Sequence, residues 1–360
     1  MGKANAIINE TKKMISKQIH SFHIPVMGLG YTIDTPVKVG RFGISSVVSI
    51  IEDQLVESMR EIHCQKANVE YIPVTDKEPG HRAKRVKLYL NLINSIVQKQ
   101  VAALREEPFE DGRDIVKYFE LLDDSNPLKK LFAEMREEPN ERARFMIQDF
   151  LRSQITAGAI DVNIMTKLDR NSYDSEGNIN AEERSDALAA LQGFAESELS
   201  SSIVFSAGLN PRLYAYCATF PDFFPDENGD IRKSIILKVS DYRSAMIQGK
   251  FLAKRGLWIS EFRIESGLNC GGHAFAADGL LIGPVLEEFR LKKDELCEEL
   301  ITMCNAALIS LNKNILPAYT KQRITVQGGI GTSDEDKFLM EKYELDGTGW
   351  GSPFLLVPAA

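Results

Sequence analysis

The chain reads Leu257-Trp258-Ile259-Ser260-Glu261-Phe262 and, shortly afterwards, Ser266-Gly267-Leu268-Asn269-Cys270-Gly271-Gly272-His273. The first stretch has the composition of a β-strand, and the second places two glycines and a histidine beyond its end. Glycines let backbone N–H groups approach a ligand closely, because no Cβ stands in the way. A histidine beside them is suited to proton transfer near neutral pH. The alternative at this point is a tight turn followed by a structural histidine.

Two more glycine-rich stretches follow strand-like runs nearer the carboxyl terminus. They are Val326-Gln327-Gly328-Gly329-Ile330-Gly331-Thr332 and Asp346-Gly347-Thr348-Gly349-Trp350-Gly351-Ser352. Small residues there let an anion rest on backbone amides, and the N-terminus of a following helix adds a favourable dipole. Three glycine-bearing strand ends in one chain therefore predict a shared ligand, and the last two predict a phosphate on it.

Eight strand-like runs alternate with helical segments along the chain. Seven of them span residues 24–31, 46–51, 159–165, 202–206, 234–239, 257–263 and 323–327, and the eighth begins at Leu345 and Asp346. This order predicts an α/β protein whose parallel strands are joined by crossovers. Eight such strands predict a closed (β/α)8 TIM barrel, with ligand sites at the carboxyl ends of the strands. An open doubly wound sheet is the alternative, but its G-x-G-x-x-G opening is missing after the first strand.

A helical insertion is predicted after the second strand. Residues 79–157 are helical almost throughout, which is far more than a crossover needs, so residues 1–78 and 158–360 are assigned to the barrel. We expect the insertion to act as a cap or an oligomer contact. Its basic stretch, His81-Arg82-Ala83-Lys84-Arg85-Val86-Lys87, is interpreted as a solvated helix face, with a site for a phosphate-bearing substrate tail as the alternative.

The two ends of the barrel sequence carry their own predictions. Residues 4–21 have apolar residues at helical spacing, and Thr35-Pro36 is typical of a helix start, with Thr35 as N-cap and Pro36 at the first helical position. No helix is predicted after the eighth strand. We therefore expect the N-terminal helix to cover that gap, or the chain to be a fragment of a longer protein.

Composition excludes several classes of function. The 360 residues are 44% hydrophobic, enough for a large core, and the formal net charge of -8 argues against a nucleic-acid partner. The five scattered cysteines, without a C-x-x-C pair, are predicted to be reduced thiols. We see neither a signal peptide nor an apolar run of membrane-spanning length. A cytoplasmic protein that binds no membrane is expected.

No metal site is predicted. The five histidines lack ligand spacing. Asp169, Asn171 and Asp174 superficially resemble an EF-hand loop, but the required glycine and closing glutamate are not at the right positions.

These motifs resemble those of the nitronate monooxygenase (2-nitropropane dioxygenase-like) family, which includes FMN-dependent enoyl-acyl carrier protein reductases. The family's sixth strand ends in G-x-E-A-G-G-H, and residues 267–273 here read Gly-Leu-Asn-Cys-Gly-Gly-His. Its seventh strand ends in G-G-I, matched by Gly328-Gly329-Ile330. Its eighth reads A-D-G-x-x-x-G-T-x-F, similar to the run from Leu345 to Phe354. Matching runs occur in the family's order outside residues 79–157.

The resemblance implies an FMN-binding barrel, a flavoprotein that acts as an oxidoreductase. Implied cofactor-binding positions are Gly28, Asn163, Gly271, Gly272, Gly328, Gly329, Gly351 and Ser352. The glycines of the seventh and eighth strand ends, with Ser352, would hold the FMN phosphate, whereas Gly28 would lie by the flavin ring. His273 falls on the family's proton-transfer histidine, which is the base in the monooxygenases.

Three further residues have two interpretations each. Lys238, at the end of the fifth strand, is a candidate cofactor contact, because a lysine near the flavin N1–O2 edge stabilises reduced flavin in several FMN barrels. This family does not usually place one there, so a solvated or salt-bridged lysine is the alternative. Trp350 either covers the ligand or is a core aromatic. Cys270 is either a reactive thiol or a small buried residue.

The chain departs from the family's pattern beside the histidine. Asn269 replaces a glutamate, Ser266 stands where a glutamine is usual, and Ala274-Phe275 follows where the family tends to have a glycine. These departures leave the substrate open, so we expect a small organic or acyl-carrier-linked molecule. NAD(P)H is the candidate electron donor, and a homo-oligomer is the candidate assembly.

Two other functions stay open from the sequence. One is a phosphate-ligand barrel without redox chemistry, such as an isomerase or lyase. The other is a catalytically silent barrel whose helical insertion binds a partner protein.

Overall fold

Eight parallel strands close into a barrel, which confirms the predicted (β/α)8 TIM fold and excludes the open sheet. The computed structural model describes residues 2–14, 19–27, 32–164, 171, 173, 176–178, 185–205, 208–265, 269–270, 273–274, 281–351 and 353–354, with the backbone alone at 2–4, 269–270 and 273–274. The barrel strands are β1 (Phe22–Ile24), β2 (Ser45–Ile50), β3 (Ile160–Ile164), β4 (Ser201–Phe205), β5 (Lys233–Val239), β6 (Ile259–Ile264), β9 (Arg323–Gln327) and β10 (Gly347–Gly349). Around the barrel their order is β1-β10-β9-β6-β5-β4-β3-β2. A separate antiparallel pair, β7 (Asn269–Cys270) and β8 (His273–Ala274), follows β6.

Helices fill the connections between the strands. They are α1 (Gly2–Met14), α2 (Thr35–Val39), α3 (Asp53–Lys66), α4 (His81–Glu106), α5 (Asp114–Glu120), α6 (Pro127–Glu137), α7 (Glu141–Gln154), α8 (Asp186–Ala195), α9 (Pro211–Cys217), α10 (Tyr242–Ala253), α11 (Ile282–Ser310) and α12 (Ser333–Tyr343). Asp34 is the N-cap of α2, so the assignment of Thr35 as N-cap is wrong by one residue. Asp and Thr both favour that position, and adjacent candidates cannot be separated by residue type alone. No helix among the described residues is long and apolar enough to cross a membrane.

Each barrel strand sends alternate side chains to the helices and to the interior. On β3, Ile160, Val162 and Ile164 face outward into the main apolar core, which α4 and α8 complete. Asp161 and Asn163 lie between them in sequence and therefore face the barrel interior. The same alternation on the other strands gives an interior that holds polar and charged side chains beside a small apolar cluster of Val47, Val204 and Ile236.

The insertion divides between two apolar cores. α4 packs into the main core, whereas α5, α6 and α7 form a second core together with α1. Asn126 Nδ2 donates to the carbonyl of Ile19 at 3.1 Å, and Thr156 N donates to the hydroxyl of Tyr118 at 3.1 Å. Ile19 precedes β1 and Thr156 precedes β3, so the second core lies at the amino-terminal end of the barrel. That end is opposite to the one where barrel ligand sites lie.

A fully buried lysine joins β5 to the end of α8. Lys233 Nζ donates to the carbonyls of Phe194 and Ser197, both at 2.9 Å, and to Ser197 Oγ at 3.1 Å. Burial lowers the pKa of Lys233 to about 7. The ammonium adds a donor to each of two carbonyls at the end of α8, where Phe194 already accepts from Ser197 N and Ser197 Oγ.

Candidate functional site

A glycine rim, Gly328, Gly329 and Gly351, lies at the carboxyl ends of the adjacent strands β9 and β10. Gly328 and Gly329 have φ values of 104° and 74°, conformations that L side chains rarely adopt. At the end of β10, a Cβ on Gly349 would come within 2.6 Å of Gln327 Cβ on β9. Backbone conformation at Gly328 and Gly329, and close packing at Gly349, therefore require glycine at these positions. Gly328 and Gly351 are buried and Gly329 is exposed, and Gly328 N donates to the Gly349 carbonyl at 3.5 Å.

The helix that follows the rim is already capped by its own side chains. The N–H groups of Gly331 and Thr332 both donate to Glu335 Oε2, at 2.9 and 3.0 Å, and Asp334 and Asp336 share the same first turn. A carboxylate therefore takes the place that an external anion would need. The expectation that this helix N-terminus helps to bind a phosphate is wrong, and an anion here would rest on the glycine rim itself.

Asn163 faces the interior at the end of β3, where the sequence places a cofactor contact. Its Nδ2 donates to Ser49 Oγ at 3.2 Å, and it is 1% exposed. Its Oδ1 is buried and makes no hydrogen bond to any described residue. β3 lies opposite β9, because three strands separate them in either direction. A buried unpaired acceptor is costly, so Asn163 Oδ1 requires a donor from beyond the described residues.

Lys238, Glu265 and Gln327 form a mouth clasp across the ends of β5, β6 and β9. Lys238 Nζ lies 3.3 Å from Glu265 Oε1, with side chains only 10% and 5% exposed. Gln327 Nε2 donates to Glu265 Oε2 at 2.7 Å. Lys238 is thus salt-bridged, as one of its two interpretations predicts. Its ammonium also faces the barrel mouth, where a cofactor contact requires it to be.

Below the mouth clasp, an ionic network fills the barrel interior. Glu261 Oε1 accepts from Arg263 Nε at 2.9 Å and from Thr325 Oγ1 at 2.7 Å, and its Oε2 accepts from Arg323 Nη1 at 3.0 Å. Across the barrel, Arg263 Nη2 lies 3.8 Å from Asp161 Oδ2. Barrels more often fill this space with branched apolar residues. The network therefore joins β3, β6 and β9 by charge, whereas Val47, Val204 and Ile236 pack as a small apolar cluster in the same interior.

The buried groups of this network have displaced pKa values. Burial would raise the pKa of Glu261, but Arg263 and Arg323 outweigh it and lower the pKa to about 2. Burial prevails over Arg263 at Asp161 and raises its pKa to about 6. Burial, reinforced by Arg263, lowers the pKa of His23 to about 3. Near neutral pH, His23 is therefore neutral and Glu261 is ionised, while Asp161 titrates closest to neutrality.

Glu265, Gln327 and His23 are not among the site residues named from the sequence. One signal was present: Glu261, Arg263 and Glu265 alternate through an otherwise apolar run. Alternate residues of a strand share a face, so three charges at this spacing predict a charged barrel interior. His23 carried no comparable signal, because a single histidine in a short strand is equally compatible with packing.

Several of the predicted residues cannot be compared with the structure. Gly28, Gly271, Gly272 and Ser352 lie outside the described residues. His273 is described by its backbone alone, which pairs with Cys270 in the β7–β8 hairpin. The structure therefore brings together Asn163, Lys238 and the glycine rim at one end of the barrel, and the role of His273 stays a prediction.

The basic stretch of α4 is paired with carboxylates. Arg82 Nη1 donates to Asp186 Oδ1 at 2.7 Å, and Arg85 donates to Asp53 at 2.6 Å and to Asp76 at 2.8 Å. Arg85 is 6% exposed, so the interpretation as a solvated face is wrong for this residue. Its position between two carboxylates, which the sequence pattern does not reveal, explains the burial.

Trp350 lies outside the barrel. Its Nε1 donates to Thr348 Oγ1 at 3.0 Å and to Asp336 Oδ1 at 3.3 Å, and its ring centroid is 6.0 Å from that of Phe22. Trp350 therefore packs β10 against α12 as a core aromatic and does not cover a ligand at the mouth.

The residues at the mouth fit a phosphate-bearing cofactor such as FMN. The glycine rim can receive a phosphate, the unpaired Asn163 Oδ1 can accept from a ring N–H, and the Lys238 ammonium can face an electron-rich edge. Among the described residues, no group of His, Cys, Asp and Glu side chains could hold a metal ion. Comparison with protein-family models and with curated proteins finds no match to this chain.

Proposed function

We propose that this protein is an FMN-dependent oxidoreductase, similar to nitronate monooxygenases and flavin enoyl reductases, that acts on a small organic or acyl-linked substrate. The observation that carries the proposal is the placement of the glycine rim opposite Asn163 Oδ1, a buried acceptor without a partner among the described residues. A ligand that spans the barrel mouth would satisfy both sides. FMN has a phosphate at one end and a polar ring edge at the other.

Each residue then has a defined role. Gly328, Gly329 and Gly351 would hold the phosphate, while Asn163 and Lys238 would contact the ring. Bound FMN would supply the redox chemistry, and the protein would supply position and electrostatics. His273 would move a proton to or from the substrate, a role that suits an imidazole near neutral pH. NAD(P)H as electron donor, a cytoplasmic location and a homo-oligomer belong to the same proposal.

The visible absorption spectrum of the purified protein, before and after heat release of its ligand, tests the proposal. We expect a flavin spectrum and FMN in the released fraction, followed by bleaching with NADH or NADPH. The His273→Ala variant should retain FMN and lose turnover. A colourless protein that takes up no added FMN contradicts the proposal.

One observation favours a second candidate, a non-redox lyase or isomerase. Lys238 is a primary amine beside the carboxylate of Glu265 at the mouth of a barrel, an arrangement that also serves carbonyl chemistry. The same spectrum separates the two candidates, because this one requires no flavin.

A further inference from the structure

We propose that Glu265 is a positioning residue, which holds Lys238 as a fixed donor toward the ligand and fixes the orientation of the Gln327 amide. The inference rests on the proposed function for the identity of the ligand. The clasp itself rests on contacts among described residues, and one arm of its test uses no ligand.

Lys238 needs a counter-charge, and among the described residues Glu265 supplies it. Lys238 and Arg263 are direct neighbours in the register of β5 and β6, and both side chains face the interior. Like charges in directly opposed positions repel. Glu261 is committed to Arg263, Arg323 and Thr325 lower in the barrel. The carboxylate 3.3 Å from Lys238 Nζ is that of Glu265.

Glu265 also decides which way the Gln327 amide points. An ionised carboxylate accepts hydrogen bonds and donates none. The Gln327 nitrogen must therefore face Glu265, as it does at 2.7 Å, and the Gln327 oxygen must face away. That oxygen is buried, and the Gln327 side chain lies against His23. A single carboxylate thus holds the Lys238 ammonium on one side and orients the buried Gln327 amide on the other.

The Glu265→Gln substitution separates the positioning effect of the Glu265 charge from the effect of its side-chain size. It keeps the size of the side chain but removes the charge, and it adds an N–H that can satisfy Gln327 Oε1. Lys238 would lose its partner, and the Gln327 amide would be free to invert. Glu265→Asp keeps the charge and shortens the side chain by one methylene, so it serves as the conservative variant.

The first arm measures lysine acylation in the unliganded protein, with sulfo-N-hydroxysuccinimide acetate and peptide mass spectrometry. In Glu265→Gln we expect Lys238 to react roughly ten-fold faster than in the parent, because the paired carboxylate no longer shields the amine. Lys233 is the internal control, since it lies on the same strand and is 0% exposed. Glu288→Gln is the matched control variant, because Glu288 pairs with the exposed Lys292 at 2.8 Å.

Two outcomes of this arm overturn the proposal. An unchanged rate at Lys238 means that Glu265 does not hold it. A parallel rise at Lys233 means that the substitution loosens the barrel, and that Glu265 is structural only.

The second arm measures FMN affinity by quenching of flavin fluorescence. We expect Glu265→Gln to weaken binding about ten-fold and Glu265→Asp to recover most of the loss. In a Lys238→Met background, Glu265→Gln should cost much less, since the two residues act together. Equal affinity of Glu265→Gln and parent, or full additivity with Lys238→Met, overturns the proposal. If the parent binds no FMN, the proposed function fails. The acylation arm then still tests whether Glu265 holds Lys238, because it uses no ligand.

Discussion

Gly349 lies directly over His23, so that a Cβ on Gly349 would come within 2.8 Å of His23 Nε2. The same Cβ would meet Gln327 Cβ at 2.6 Å. His23 is buried and neutral near pH 7, because burial lowers its pKa to about 3. The glycine therefore leaves room for an uncharged imidazole beneath the end of β10, where a larger residue would push β1 and β9 apart.

Substitution Gly349→Ala should destabilise the barrel by roughly 2 kcal/mol, as expected for an overpacked interior. Urea denaturation followed by circular dichroism measures the change. Gly331→Ala is the control, because its Cβ would meet only Glu335 Oε2, at 3.6 Å. Equal stability of the two variants would show that His23 and Gln327 move aside without cost.

Asp161→Asn should change how stability depends on pH. The pKa of Asp161 is raised from 3.8 to about 6, so the stability it contributes is full below about pH 4 and is lost as pH rises through 6. This loss corresponds to roughly 3 kcal/mol, and the Asn variant should not show it. Unfolding free energies of parent and variant at pH 4.5 and 7.5 should show about 2 kcal/mol of this loss, because the rest occurs below pH 4.5. A constant difference between parent and variant across this range contradicts the prediction. Asp294→Asn, at an exposed position, is the control, and its difference from the parent should stay constant across the same range.

Lys233→Met should destabilise the protein by about 2 kcal/mol, because the buried Ser197 carbonyl loses the donor from Lys233, whereas the Phe194 carbonyl still accepts from Ser197 N and Ser197 Oγ. Chemical denaturation of parent and variant provides the measurement. Lys292→Met, which alters an exposed ion pair, should change stability by no more than about 0.5 kcal/mol. A small effect of Lys233→Met would mean that water replaces the ammonium.

Asn163→Leu should separate stability from binding. The unliganded variant should be as stable as the parent or more stable by up to about 1 kcal/mol, because a buried unpaired acceptor disappears. Its affinity for FMN should fall about ten-fold. Denaturation and flavin fluorescence titration measure the two effects.

The control for Asn163→Leu is Asn305→Leu. Both amide atoms of Asn305 are bonded to Leu316, at 3.0 and 2.9 Å, so this variant should lose about 2 kcal/mol of stability. If Asn163→Leu loses as much, Asn163 is a structural residue and the argument for a ligand at this position fails.

The barrel was predictable because each strand has a local run of apolar and β-branched residues that can be recognised in the sequence. Residues 323–327 are a strand with the same bounds in sequence and structure, and the run assigned to 234–239 begins one residue earlier, at Lys233. The eighth strand was predicted less accurately, because β10 has three residues and two of them are glycine, a type depleted in strands. Part of the candidate site was predictable for the same reason. Glycines at strand ends, and polar residues such as Asn163 and Lys238 within the strands, can be located from the sequence alone.

Contacts across the barrel were not predictable. Glu265 and Gln327 are 62 residues apart, and their hydrogen bond depends on the register of β6 and β9. The sequence also could not reveal that Glu335 occupies the amides at the start of α12, because its carboxylate could equally have faced solvent. Both facts change what a ligand would meet.

By itself the sequence determined the fold class, since the alternation of apolar strands and amphipathic helices is a local pattern that each segment carries. It also determined which strand ends hold glycine. The tertiary structure alone decided that α5 to α7 lie at the amino-terminal end, that Arg85 is buried between two carboxylates, and that Lys238, Glu265 and Gln327 form one clasp. Barrel closure sets these contacts, because it fixes the register of strands that are distant in the chain, and register is a property of pairs of strands.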